Sequence, residues 1–170
     1  MQPAILRTIF LVSIAVAAFF AWRQYRQPNF IAGDPVPDFT TTLLTGEQVR
    51  LSDLRGKYVL LQFWGSWCGP CRAENPQLVR LYQRYHERGL EIFSVGVEQS
   101  AATWQQAIRQ DGLLWKYHTM EDRDFNGGLA RQFNIHSIPT TFLLNPQGVI
   151  MGVDHDMDRL ENVLNSLLPK

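Results

Sequence analysis

The chain has little cysteine and no excess of charge, and both features narrow the classes of protein to which it can belong. Its 170 residues include two cysteines, so at most one intramolecular disulfide can form. Sixteen basic and sixteen acidic side chains give a formal net charge of zero, which lacks the positive field typical of a nucleic-acid binder. We therefore expect small-molecule or protein partners and no nucleic acid.

The remaining composition is that of a chain able to bury a core. Hydrophobic residues make up 45% of the sequence and charged residues 19%, which argues against disorder. There is no internal repeat and no low-complexity segment. We expect one globular domain at residues 37–170, preceded by an N-terminal segment at residues 1–28 and a linker at residues 29–36.

The N-terminal segment is apolar. Residues 8–22 hold no charge and lie between Arg7 and Arg23. With its flanking residues, a helix of about twenty residues reaches roughly 30 Å, enough to cross a membrane. A cleavable signal peptide is the alternative, with Ala15–Ala17 as its small-residue site. Because apolar residues continue to Trp22, we favour an uncleaved single-pass anchor in the inner (cytoplasmic) membrane, with the domain on the periplasmic or extracytoplasmic side.

Strands and helices alternate along the domain. Residues 58–64 and 90–98 are almost continuously apolar and predict strands buried on both faces, at the centre of a mixed or parallel sheet. Amphipathic helices are expected near residues 69–88 and 101–110, and a turn at residues 45–46 predicts an N-terminal β-hairpin extension. Further expected elements are a strand at 114–120, a helix at 126–133, a closing hairpin and a last helix. The predicted fold is an α/β/α sandwich of three layers.

Two acidic clusters favour structural interpretations. Residues 154–158, DHDMD, contain side chains that can bind a cation, but they directly precede the last helix. We expect Asp156 or Asp158 to cap that helix, with Glu161 completing a capping box with Asp158. Residues 120–124 are expected to form a solvated loop.

Both cysteines lie in the stretch SWCGPCRAE, residues 66–74, where a buried strand turns into a helix. We expect Cys68 at the first exposed position of the helix, where free N–H groups and the helix dipole favour a thiolate. Cys71 follows one turn later, close enough for a disulfide. Pro70 suits a first helical turn, and Gly69 lets another backbone approach the sulfur.

A structural disulfide and a zinc site are the alternatives to a redox-active dithiol. A disulfide that closes so short a loop constrains the unfolded chain little and adds little stability. Zinc would need two further ligands, and the histidines form no ligand-spaced pair. These histidines are His86, His118, His136 and His155. A dithiol that cycles between reduced and oxidised states is therefore favoured, and we expect neither a metal nor a cofactor.

The sequence resembles the thioredoxin superfamily, and more closely its membrane-anchored TlpA/ResA-like branch. The motifs that carry this resemblance are PDF at residues 37–39, FWGSWCGPCRAENP at residues 63–76 and FNIHSIPTTFLLNPQG at residues 133–148. They occur in this order, each with a suitable strand or helix around it. The resemblance implies a thioredoxin fold and thiol-disulfide oxidoreductase activity.

The resemblance also implies roles for individual residues. Cys68 would be the attacking thiol, Cys71 the resolving thiol, and Pro139 a cis-proline that faces the disulfide. The backbone of Ile138 could then pair with an extended substrate segment, and Trp67 would line the rim of the site. The expected substrate-binding residues are Trp67, Gly69, Pro70, Ile138 and Pro139.

Glu74 is the expected proton acceptor of the dithiol. Residues 68, 71 and 74 are spaced by three and therefore lie near one face of the helix. The resemblance implies that TlpA/ResA-like proteins use this glutamate, whereas thioredoxin uses an aspartate upstream of its first cysteine. Here that upstream position is Gln62, which cannot exchange a proton. A solvated glutamate without a catalytic role is the alternative.

These assignments predict a membrane-anchored enzyme that reduces disulfides of exported proteins. The Gly-Pro pair between the cysteines, as in thioredoxin, favours reduction over oxidation. The predicted partners are a disulfide-containing client protein, with apocytochrome c as a candidate by resemblance, and a second thiol protein that donates electrons. A thiol peroxidase of the peroxiredoxin type and a non-enzymatic module that binds extended peptides are the alternatives.

Overall fold

The domain is built around a mixed sheet of five strands with a small hairpin beside it. The computed structural model of the protein describes residues 3–25, 30–122, 125, 127–154 and 156–168. The strands are β1 (Thr40–Thr42), β2 (Gln48–Arg50), β3 (Tyr58–Trp64), β4 (Leu90–Glu98), β5 (Tyr117–Asp122), β6 (Thr140–Leu144) and β7 (Ile150–Val153). β1 and β2 form the hairpin, and the sheet has the order β5-β4-β3-β6-β7. Neighbours among β3, β4 and β5 are parallel, whereas β6 and β7 are antiparallel to their neighbours.

β3 and β4 lie at the centre because their side chains are apolar on both faces. In their parallel register Leu60 lies opposite Ile92, and Leu61 lies opposite Phe93. Leu60 and Ile92 belong to one hydrophobic cluster, and Leu61 and Phe93 to the cluster on the other face. The alternation of side chains along each strand thus supplies a core to both faces.

The α-helices are α1 (Pro3–Tyr25), α2 (Gly69–Tyr85), α3 (Ala101–Asp111), α4 (Gly128–Gln132) and α5 (Met157–Leu167). Helices α2 to α5 cover both faces of the sheet. Buried residues of α2, α3 and α5 join one cluster, whereas α4 joins the other together with the hairpin. The predicted three-layer α/β sandwich with a hairpin extension is confirmed.

The N-terminal helix α1 stands apart from this domain. An 18-residue stretch, Ile5–Trp22, has a mean hydropathy of 2.1, and none of it is buried against other described residues. By length and composition it can cross a membrane, and a signal sequence has the same properties. The predicted boundary between the N-terminal segment and the linker falls at residues 26–29, which lie outside the described residues.

Much of the predicted linker packs on the domain. The ring of Phe30 lies 5.5 Å from that of Phe133. The N–H of Gly33 donates to the carbonyl of Ile150 at 2.8 Å, and the N–H of Val36 donates to the carbonyl of Gly148 at 2.9 Å. The folded unit therefore already includes residues 30–36.

Two acidic residues of the predicted loop at residues 120–124 belong to a strand instead. Glu121 and Asp122 form the end of β5, so the prediction of a solvated loop is wrong for them. The carboxylate of Glu121 accepts the N–H groups of Leu129 at 2.5 Å and Ala130 at 2.7 Å. It thereby satisfies free donors at the start of α4, which local spacing does not reveal because Glu121 belongs to another element. Arg123 and Asp124 lie outside the described residues.

The cap of the last helix is Asp156, one of the two predicted candidates. Its carboxylate accepts the N–H of Arg159 at 2.8 Å. The capping box of Asp158 with Glu161 is wrong, because Glu161 instead pairs with Arg84 of α2 at 2.6 Å. His155, in the same stretch, lies outside the described residues.

Candidate active site

The two cysteines form a disulfide where β3 gives way to α2. The Cα atoms of Cys68 and Cys71 are 5.3 Å apart. Cys68 is the N-cap of α2, and its Sγ accepts the backbone N–H of Cys71 at 3.2 Å. Pro70 lies in the first turn, as predicted. In the reduced protein this N–H and the positive end of the helix dipole would stabilise a Cys68 thiolate.

The prediction that Cys68 occupies the first exposed position of the helix is wrong. It is 5% exposed and Cys71 is fully buried, because Cys68 is the N-cap and packs into the cluster beneath α2. The neighbouring Gly69 and Pro70 are exposed. A Cβ atom on Gly69 would meet nothing within 4 Å. The open approach to the disulfide therefore runs over these two residues.

The Ile138–Pro139 peptide bond is cis, which confirms the prediction for Pro139. The carbonyl oxygen of Ile138 lies 3.8 Å from Sγ of Cys68. Gly65 permits this close packing, since a Cβ atom there would lie 2.7 Å from Nε1 of Trp67 and 3.1 Å from Cδ1 of Ile138. Sequence reasoning missed Gly65, whose only signal was its place between the strand and the cysteines.

Trp67 lies at the rim of the site. Its side chain is 41% exposed, while its indole N–H donates to the carbonyl of Val97 at 2.7 Å. The hydrogen bond holds the ring in one orientation and leaves an apolar face in solvent beside the disulfide. A fixed, exposed indole suits contact with a protein partner.

Glu74 lines a cavity beside the cis-proline. The cavity measures about 300 Å³ and is lined by Glu74, Pro139, Thr141, Asp154, Asp156 and Met157. Burial raises the pKa of Glu74, and the negative charge of Asp154 raises it further. Asp154 is held in place because its carboxylate accepts the N–H of Thr141 at 2.9 Å. A carboxyl with a raised pKa exchanges protons closer to neutral pH than an exposed one.

Gln62 belongs to a buried polar chain on the same face of the sheet. Its Oε1 accepts the hydroxyl of Ser94 at 3.0 Å, and the Ser94 oxygen accepts the indole N–H of Trp115 at 2.9 Å. His118, a histidine considered as a zinc ligand, stacks on Trp115 with ring centroids 5.4 Å apart. Within the residues that the structure describes, no group of three or more His, Cys, Asp and Glu is arranged to hold a metal ion.

Two charged residues that sequence reasoning missed hold the loop before Cys68. Glu98, at the end of β4, accepts hydrogen bonds from Ser66, and the guanidinium of Arg72 donates to the Ser66 carbonyl at 3.3 Å. Both residues stand in buried or helical stretches, where sequence alone predicts only a strand end and a solvated helix position. Their contacts arise from tertiary packing of α2, α3 and β4.

The chain matches the AhpC/TSA family over residues 32–153. Among curated proteins it is 34% identical to the thiol-disulfide oxidoreductase ResA of Oceanobacillus iheyensis, over 96% of this chain and 88% of that protein. It is 33% identical to the thiol-disulfide oxidoreductase ResA of Geobacillus kaustophilus, over 99% of this chain and 98% of that protein.

Solved structures show the same likeness. The thioredoxin domain of a thiol-disulfide oxidoreductase from Bacteroides vulgatus superposes with a TM-score of 0.75 at 28% identity, covering 83% of this chain and all of that domain. A thiol-disulfide oxidoreductase from Bacteroides fragilis superposes with a TM-score of 0.72 at 30% identity, covering 79% of this chain and all of that structure.

Proposed function

The chain belongs to the AhpC/TSA family of the thioredoxin superfamily and is a thiol-disulfide oxidoreductase of the ResA type, and on this basis we propose that it reduces disulfides of exported proteins. The observation that carries this proposal is the Cys68–Cys71 pair at the start of α2, facing the backbone of Ile138. The Gly-Pro pair between the cysteines supports reduction, since strong reductants such as thioredoxin, at about −270 mV, carry it.

In the first step the Cys68 thiolate attacks one sulfur of a client disulfide. A bond forms between Cys68 Sγ and that sulfur, the client S–S bond breaks, and the other client sulfur leaves as a thiolate that takes a proton. Cys68 suits this role because its Sγ accepts the Cys71 N–H and lies beside the exposed Gly69 and Pro70. The client segment would pair with Ile138 and contact Trp67.

In the second step Cys71 releases the client. Its thiolate attacks Cys68 Sγ, the Cys68–Cys71 disulfide forms, and the second client sulfur leaves as a thiolate. Two electrons have then passed from the enzyme to the client. We assign Glu74 as the base that takes the Cys71 proton, because it is half-buried on α2 and lines the cavity next to Pro139. A second thiol protein must then reduce the Cys68–Cys71 disulfide.

The experiment that tests this function is capture of the client by a Cys71→Ser variant. Without the resolving thiol, the first step leaves a covalent mixed disulfide on Cys68, which mass spectrometry identifies. A matched Cys68→Ser variant should capture nothing. Equal capture by both variants would contradict the assignment of Cys68 as the nucleophile.

Apocytochrome c is the candidate client, on the family resemblance alone. Its presence among the captured proteins would support a role in cytochrome c maturation. Capture of other exported proteins without it would overturn this client and leave the reductase function standing. Peroxide consumption measured beside insulin-disulfide reduction separates the peroxidase alternative, which requires that peroxide oxidise Cys68 faster than a protein disulfide does.

We propose that α1 anchors the enzyme in the cytoplasmic membrane with the domain outside the cytoplasm. The stretch Ile5–Trp22 supports an anchor through its length and hydropathy. The expected result is that the protein stays in the membrane fraction after a carbonate wash. Recovery of a soluble form that begins near Ala18 would show a cleaved signal peptide instead.

A further inference from the structure

Ser66 stands two residues before the nucleophile, and all of its polar groups are engaged. Its backbone N–H donates to Oε1 of Glu98, and its hydroxyl donates to Oε2 of the same carboxylate at 2.9 Å. Its carbonyl accepts Nη1 of Arg72 at 3.3 Å. Since the next residue, Trp67, is bonded to Val97, the whole loop from Gly65 to Cys68 is held from β4 and from α2.

Glu98 is buried and forms no ion pair with any residue that the structure describes. It is 2% exposed. Glu91, near the start of the same strand, is also 2% exposed, but it pairs with Lys57 at 3.2 Å and lies 3.7 Å from His86. Burying a carboxylate is costly, and among the described residues it is the two hydrogen bonds from Ser66 that offset this cost at Glu98.

Arg72 reaches the loop from the other side and is itself held. Its guanidinium forms two hydrogen bonds with the carboxylate of Asp111 at the end of α3, at 2.5 and 2.7 Å. Asn75 donates to the same carboxylate at 2.6 Å. Ser66 is thus fixed between a buried carboxylate and a guanidinium that is oriented by a bidentate ion pair.

We propose that Glu98 is a positioning residue that, together with Arg72, holds Ser66 and thereby keeps Sγ of Cys68 at the N-terminus of α2. Cys68 depends on this placement because its Sγ accepts the Cys71 N–H only while it lies at the N-cap. If the loop from Gly65 to Cys68 is no longer held, Sγ of Cys68 loses the Cys71 N–H donor and the stabilisation by the helix dipole for part of the time. The proposal rests on the thiol-disulfide oxidoreductase activity and on no particular client.

The test is alkylation of the reduced protein by iodoacetamide as a function of pH, with labelling of Cys68 followed by mass spectrometry. Glu98→Ala removes the two carboxylate oxygens that accept the N–H and the hydroxyl of Ser66. We expect the pH midpoint of Cys68 alkylation to rise by about one unit in this variant. Glu98→Gln keeps an acceptor for the Ser66 N–H and should stay near the wild-type midpoint. Insulin reduction should fall by about tenfold in Glu98→Ala and by less than about twofold in Glu98→Gln.

Glu91→Ala is the matched control, since it removes an equally buried glutamate of the same strand far from the disulfide. It should lower stability and leave the Cys68 midpoint unchanged. Other charges near the site are Glu74 and Asp154, on α2 and after β7, and Asp111 on α3, and all three are retained in these variants. Should Glu98→Ala fail to fold, Ser66→Ala removes the hydroxyl alone and should raise the midpoint by a smaller amount.

Three results would overturn the positioning role. Unchanged midpoints in Glu98→Ala and Ser66→Ala would show that the loop does not need these contacts. An equal fall of the midpoint in Glu98→Ala and Glu98→Gln would show that Glu98 acts through its charge. A rise in Glu91→Ala equal to that in Glu98→Ala would show general destabilisation. Because alkylation needs no client, these results do not depend on whether the proposed client is right.

Discussion

The two faces of the sheet are packed with different chemistry. The face covered by α4 and the hairpin is aliphatic and aromatic, and its rings contact one another with centroids 5.3 to 6.3 Å apart. The rings are Phe39, Phe63, Phe93, Phe133 and Phe142. The face covered by α2, α3 and α5 buries the disulfide, several tryptophans and the polar side chains of Gln62, Ser94 and His118.

The two faces differ in what their packing contributes to the stability of the fold. On the disulfide face, Nε2 of Gln62 and the indole N–H groups of Trp64 and Trp104 are buried without a partner among the described residues. Each such group costs about 1–3 kcal/mol. On the aromatic face, no side-chain polar atom of the described residues is buried without a partner. We infer that the aromatic face stabilises the domain and that the disulfide face accommodates the redox chemistry.

The largest expected effect is on the aromatic face. Phe133 is fully buried and contacts Phe30, Phe63 and Phe142, so Phe133→Ala should lower the free energy of unfolding by about 3–5 kcal/mol. Urea denaturation of the oxidised protein measures this loss. The pH midpoint of Cys68 alkylation should not move in the protein that remains folded. A shifted midpoint would break the proposed division between the faces.

Acid should act mainly on the disulfide face, through His118. Burial lowers the pKa of His118 from 6.5 to about 4, although the backbone at Leu113 and Trp115 works in the opposite direction. Between these pH values the unfolded chain binds a proton that the folded protein does not, so stability rises with pH there. The contribution of neutral His118 to the free energy of unfolding is complete above pH 6.5 and is lost as the pH falls through about 4. The free energy of unfolding changes by roughly 3 kcal/mol over this range.

Denaturation of the protein at several pH values checks this slope. His118→Phe removes the titrating group and should flatten it between pH 6.5 and 4. Phe133→Ala, on the other face, should retain the wild-type slope at lower overall stability. Equal slopes in His118→Phe and the wild type would show that another group carries the acid sensitivity.

The smallest expected effect is that of Glu74→Gln, which should change the reactivity of the dithiol more than the stability of the domain. Removal of a negative charge near the dithiol should lower the pKa of Cys68 by up to about one unit, or ~1.4 kcal/mol. Release of the mixed disulfide should slow, because Cys71 loses its proton acceptor. Thiolate absorbance followed against pH, together with single-turnover kinetics, measures both effects.

The stability of Glu74→Gln provides a second test of the difference between the aromatic and the disulfide faces. Burial and Asp154 raise the pKa of Glu74, so its charged form is disfavoured in the folded protein. Near pH 7 the variant should therefore be at least as stable as the wild type, unlike Phe133→Ala. Superimposable thiolate titrations with unchanged turnover would show that Glu74 has no catalytic role.

Much of this architecture was predictable from local pattern. The nearly continuous apolar runs of β3 and β4 marked the centre of the sheet, because strands buried on both faces lack a regular alternation of apolar and polar residues. The position of Cys68 and Cys71 between a buried strand and a helix was readable for the same reason. The cis bond before Pro139 was expected through the family resemblance, and the structure contains it.

The sequence by itself determined the elements, their order and the dithiol, because these depend on residues that are neighbours along the chain. Tertiary structure alone decided which distant residues the charged side chains around the dithiol contact. Glu98 meets Ser66 across 32 positions, Arg72 meets Asp111 across 39, and Asp154 meets Thr141 across 13. Such contacts leave no periodic signal, since they form only when packing of α2 and α3 on β4, and of β7 beside β6, brings distant segments together. The cysteines were therefore evident from sequence, whereas the groups that hold and tune them became evident only in the fold.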